Sequence, residues 1–214
     1  MKGNARAIDS TLLQGIIACP YRYYFQNNLG IFPEKLTWQH VIQDTVNQIV
    51  KSYFELSYNE RSSIQVLRLI HTYWERVNRY YFESISEYLR MFVMVSDHLL
   101  HFLLSEKEKT IPFFLFERSN NLPSNRHSSS LINDLVTRTE NSYVIKKVLI
   151  ETNERLLTIY YNAIKAFSLQ AFGDLPEQIE IIDLQTAQRI IHIPKPNETL
   201  SEIEENFMVY QTYV

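Results

Sequence analysis

Between Leu12 and Phe25 the apolar positions (Leu12, Leu13, Ile16, Ile17, Tyr21, Tyr24 and Phe25) fall near a 3.6-residue period. This spacing predicts a helix entered at Asp9 or Ser10, interrupted at Pro20 and closed near Asn28 and Gly30. Val41, Ile42, Val46, Ile49, Val50 and Phe54 continue the helical spacing over 36–56. From about Glu60 to Ser105 the pattern predicts two long helices, VLRLIHTYWERVNRYYF and ISEYLRMFVMVSDHLLHFLL. The pattern then changes. IPFFLFE (111–117) is a strand candidate and RSNNLPSNRHSSS (118–130) a polar loop. LINDLVTRTE (131–140) and SYVIKKVLIET (142–152) are β-rich and meet at Asn141, which predicts an antiparallel pair. ERLLTIYYNAIKAFSLQAFG (154–173) is an amphipathic helix stopped by Gly173. PEQIEIIDLQTAQRIIHIP (176–194) predicts a second strand pair around Thr186-Ala187, and Thr199-Leu200-Ser201-Glu202 opens a closing helix running to Gln211. With no internal repeat, this order is an α/β layout carrying a helical insertion at 36–110 within a single domain, 1–214.

Composition narrows the chemistry. The 214 residues include only 4 Gly, and neither GxGxxG nor GxxxxGK[ST] occurs, which argues against a glycine-rich phosphate cradle. A single cysteine, Cys19, excludes a disulfide framework, a four-thiolate zinc site and an iron–sulfur cluster held by this chain alone. The formal charge of −3 supplies no global basic field, so any nucleic-acid contact must come from a local patch. The longest apolar run is broken by Asp97, His98 and His101, and no signal-peptide pattern follows the basic N-terminus. The expected setting is the cytoplasm, without membrane contact.

Two strings carry a resemblance. IDSTLLQGIIACPYRYYFQNNLGI (8–31) resembles the opening segment of RecB-like nucleases of the PD-(D/E)XK superfamily, with its Ser, its spaced Leu, CPYRYYF and Leu-Gly. The C-terminal third is similar to that superfamily's core: a strand with an acid, a hairpin, a further strand, then LLTIYYNAIKAF and FGDLPEQIEIIDLQTA. The two cover about half the chain, and CPYRYYF is their most specific part. The resemblance implies an α/β fold, a PD-(D/E)XK nuclease-like mixed sheet flanked by helices.

It also implies a site. Active members hold Mg²⁺ or Mn²⁺ with a helix His, an Asp from one strand and an acid in the next, with a Lys two residues beyond and a Gln opening the following helix. Carboxylates hold the hard cation, and metal and Lys orient hydroxide against a phosphodiester. His40 falls at the helix His, without the usual nearby glycine, and Asp134 supplies the first acid, or Asn133 if the match shifts by one. The second strand departs from the pattern. One register puts Lys147 at the acid and Leu149 at the Lys; the other gives Lys146 and Val148, and the Gln position is Leu156. A lysine at a ligand position opposes a dication as well as failing to coordinate it. The expectation is therefore a catalytically degenerate member without a cofactor, a DNA-associated or partner-binding subunit of a DNA-processing complex. The alternative is an active Mg²⁺- or Mn²⁺-dependent DNase in which Glu151, at the parity of Lys147 and Leu149, is a displaced acid beside His40 and Asp134. A third reading is a purely structural interaction protein, which would expose an apolar patch on the insertion.

Each residue also has an ordinary structural role to set against these. His40 suits an exposed helix position, Asp134 a hairpin end, and His98/His101 a helix surface or core. Cys19 with His40 lacks any orienting element for nucleophilic catalysis. Arg22 and Tyr24 in CPYRYYF, with Arg76 and Arg79 beside Tyr80 and Tyr81, are candidates for phosphate contact and base stacking. Arg61, Arg68, Arg76, Arg79 and Arg90 are interleaved with acids, the pattern of a solvated, salt-bridged face.

Overall fold

The computed structural model describes residues 37–106, 113–114, 135–199 and 202–203. The expected helix at 8–30, with Arg22 and Tyr24, lies outside them, as do Asn133, Asp134 and the 118–130 loop. Three helices come first: α1 (Trp38–Glu55), α2 (Ser63–Trp74) and α3 (Ile85–Ser105). Serine caps start the latter two, Ser62 accepting from the Gln65 N–H at 3.4 Å and Ser84 from the Glu87 N–H at 3.0 Å. The periodicity carries the α2 helix on to Phe82, and here the structure corrects it. α2 stops at Trp74, and Arg79–Tyr81 form a separate 3₁₀ turn. Asn78 accepts the Tyr80 N–H at 3.0 Å, offering the backbone a local alternative to the helix, while Val77 and Phe82 turn inward.

The sheet follows in the order β1-β2-β3-β4-β5. Its strands are β1 (Phe113–Phe114), β2 (Leu135–Arg138), β3 (Tyr143–Leu149), β4 (Gln178–Asp183) and β5 (Gln188–His192). β2 and β3 form the expected antiparallel hairpin, with Leu135 opposite Lys146. Helix α4 (Glu154–Phe172) crosses over from β3 to β4, so these two run parallel from Val144↔Gln178 to Leu149↔Asp183. β4 and β5 close the second hairpin, with Ala187 at positive φ in its turn. Gly173 ends α4 at φ 76°, its N–H bonded to the Leu169 carbonyl at 3.2 Å. The chain is thus a mixed α/β fold. Of the expected closing helix, Glu202 and Ile203 are described and helical, and Thr199 and Glu202 form its capping bonds.

The strands' alternation divides the core into two layers. Ile42, Val46, Ile49, Val66, Val95 and Leu99 of the helices pack with Leu135, Val148, Ile150, Ile182 and Leu184 on one face. Val136, Ile145, Leu149, Ile179 and Ile181 pack with Tyr160 and Ile164 of α4 on the other. Gln43 fastens α1 to the end of β3: its amide donates to the Val148 carbonyl at 2.8 Å and accepts from the Ile150 N–H at 3.0 Å. Arg61, grouped with the solvated arginines by its sequence context, is instead buried. Its guanidinium donates to the carbonyls of Phe54 (2.8 Å) and Leu56 (3.2 Å), satisfying backbone oxygens at the C-terminus of α1.

Candidate functional site

β3 carries the two lysines at the centre of the sequence argument, and the pleat sends them to opposite faces. Lys146 points toward the helical layer with Val148, and Lys147 toward α4 with Ile145 and Leu149. Lys146 enters a four-charge network of which three members are buried and the fourth, Arg189, reaches solvent. Its ammonium lies 2.8 Å from Glu106 at the end of α3 and 3.6 Å from Glu180 of β4. Arg189 of β5 bridges the same two carboxylates, at 2.8 Å to each. Gln178 donates to the remaining oxygen of Glu180 at 2.8 Å. Two cations and two anions balance, and both carboxylates are committed to nitrogen donors. Glu106, Glu180 and Arg189 were not singled out from sequence. The usable signal was the Ile179-Glu180-Ile181 alternation, which puts an acid on the buried face opposite the two isoleucines.

Lys147 is buried on the α4 side, its ammonium 6.0 Å from the Tyr160 ring centroid. Around it stand Leu149 and Tyr160, with Leu156 and Leu157 packed against the same cluster. Further along this face His192 stacks on Tyr161, centroids 4.2 Å apart, near the pair formed by buried Lys165 and half-buried Glu198 at 3.0 Å. Burial, and secondarily the Lys165 charge, hold the His192 imidazole below its ordinary pKa, with Glu198 opposing.

The other candidates lie around the C-terminal end of β3. Glu151 is exposed beyond the strand's last residue, just before Asn153, whose side chain caps α4 by accepting from the Leu156 N–H at 2.9 Å. Asp183, at the matching end of β4, is buried and accepts from Thr152 Oγ1 and the Gln185 N–H, both at 2.7 Å. His40 sits in the first turn of α1, its Nδ1 2.6 Å from Thr37 Oγ1. That helix packs on the sheet face opposite the one that carries α4 and Lys147. Among the described residues no group of three His, Cys, Asp or Glu side chains comes together as metal ligands, and Asp134 is not one of those residues. His98 does not pair with His101 for a metal: its Nδ1 meets the Leu184 carbonyl at 2.5 Å, while His101 Nδ1 lies 2.9 Å from the Asp97 carbonyl.

Arg76 and Arg79 are exposed at the turn joining α2 to α3. Each stacks on a tyrosine, Arg76 over Tyr73 at 5.3 Å and Arg79 over Tyr80 at 5.4 Å. Tyr80 is 77% exposed. No described helix is long and apolar enough to cross a membrane. Compared with models of known protein families and with curated proteins, the chain has no match.

Proposed function

We propose that this chain is a catalytically inactive RecB-like, PD-(D/E)XK nuclease-fold protein that serves as a DNA-associated or partner-binding subunit in the cytoplasm. One observation carries the inactive part. The Gln of the active pattern would come from α4, so the acid and Lys of the strand would face α4. That face of β3 carries Leu149, packed with Leu156 and Tyr160 in an apolar cluster, and Lys147, whose ammonium lies 6.0 Å from the Tyr160 ring centroid. Hydrocarbon at the Lys and Gln positions removes two polar groups, and an ammonium at the acid position repels a dication. DNA association draws support from the exposed Arg76, Arg79 and Tyr80, which pair cations for phosphates with a ring for stacking.

A second reading, a Mg²⁺- or Mn²⁺-dependent DNase, has its own support. Gln43 ties the His40 helix to the end of β3, where Glu151 is exposed, so both candidates flank one strand end, with Asp134 the third candidate ligand. Incubation with single- and double-stranded DNA, in Mn²⁺ or in EDTA, separates the two by following cleavage and gel retardation together. Retardation without cleavage is expected. Mn²⁺-dependent cleavage that disappears in Asp134→Ala and in Glu151→Ala would overturn the inactive reading and establish the second.

A further inference from the structure

Of the large apolar side chains left open to solvent, Ile85, Leu89 and Val93 stand in a line at i, i+4 and i+8 on α3, with 62%, 51% and 63% of their surface exposed. Leu89, Val93 and Met94, together with Arg90, Asp97 and His98, line a shallow groove along the helix. Among the described residues neither charged residue of that groove has a full counter-charge. The guanidinium of exposed Arg90 has no hydrogen-bond or ion-pair partner among them. Asp97 has only histidine neighbours among the described residues, His101 at 3.5 Å and His98 at 3.9 Å, which are charged only when protonated. Arg90 and Asp97 are seven residues apart, two turns of helix, so they share a face but are offset by about 10.5 Å along the axis. Within one chain they do not meet.

We propose that this face of α3 pairs with the same face of a second copy, antiparallel about a two-fold axis passing between Val93 and Met94. An isologous contact sets each residue against its mirror position. The midpoint between Arg90 and Asp97 is the midpoint between Val93 and Met94, so an axis there sets Val93 of each copy against Met94 of the other and Leu89 against His98, and puts Arg90 of each copy opposite Asp97 of the other, twice. The contact is one helix pair, smaller than a standard stable interface, and the dimer is correspondingly weak, dissociating in the roughly micromolar range. The proposal does not depend on the nuclease-fold reading.

Sedimentation velocity on the full chain from about 1 to 500 µM tests it, because each tenfold step in dissociation constant is directly resolved. A concentration-dependent dimer is expected. Arg90→Asp and Asp97→Arg, each creating two like-charge contacts, weaken it by about tenfold or more. The double variant Arg90→Asp/Asp97→Arg returns it to within about threefold of the parent, and Val93→Glu leaves only monomer. Both charged residues are exposed, so circular dichroism and melting temperature stay at the parent values and separate lost pairing from lost folding. A monomer throughout the range overturns the proposal, as does a dimer indifferent to the single reversals or one that the double swap leaves broken.

Discussion

Lys146, Glu106, Glu180 and Arg189 behave as one electrostatic unit, and their response to substitution depends on leaving a charge unpaired. Glu106→Gln strands the Lys146 ammonium with Glu180 alone, already shared with Arg189; a loss of about 3–5 kcal/mol in urea denaturation is expected. Breaking the exposed His71–Glu75 pair should cost under about 0.5 kcal/mol in the same measurement. His192 gives the pH dependence. Its folded pKa lies below the ordinary 6.5, so the unfolded chain takes up the proton first as pH falls. Stability therefore drops as pH passes downward through about 6.5 and levels off once the folded imidazole also protonates. His192→Phe keeps a ring against Tyr161 and should flatten the fall of the melting temperature as pH drops below about 6.5. Adjacent positions on a strand face opposite ways, so the divergence of Lys146 and Lys147 follows from parity alone. Their partners were not legible, because Glu106 lies 40 residues before Lys146 and only tertiary packing brings them together.

Among the elements, those with both a period and a stop signal were legible. α4 has an Asn cap, an apolar face and a terminal glycine, and both hairpins turn where the turn residues stand. Periodicity alone extends α2 too far, because Val77 and Phe82 keep an apolar rhythm through a stretch that the Asn78 side chain takes out of the helix. Arg61 misled for a related reason: a charged residue among charged residues looks solvated until the helix end it caps is known. Gly173 is required by conformation rather than space, since φ is 76° and nothing lies within 4 Å of an added Cβ. Gly173→Ala should cost about 1 kcal/mol in chemical denaturation, and Gly173→Asn distinctly less, because Asn tolerates the left-handed region. Gln43→Leu orphans a buried carbonyl and a buried N–H at the end of β3, and a loss of about 2–4 kcal/mol is expected.

At the scale of the whole molecule, the helix–sheet order and the mixed pairing were legible, whereas the candidate site was legible only as a set of departures from a pattern. Residue types at spaced positions can be compared along a chain. The cluster filling the α4 side, with Leu149, Leu156 and Tyr160 in mutual packing, depends on how the crossover seats. If DNA binds at the Arg76–Tyr81 turn, Arg76→Glu with Arg79→Glu should weaken retardation on every sequence tried. It should also lower the slope of log affinity against log salt by about 2, two phosphate contacts having been removed.

The bonds from Gln43 to Val148 and Ile150 join residues 105 and 107 positions apart. A ribosome adding about 5–20 residues per second needs roughly 5–20 s to pass from one end of that link to the other. During this interval α1, α2 and α3 have been synthesised, while the strand residues that cover their apolar face, Val148, Ile182 and Leu184, have not. The helical half of the nascent chain therefore waits with its core side bare, and the high sequence separation of these contacts makes docking onto the sheet a late step of folding.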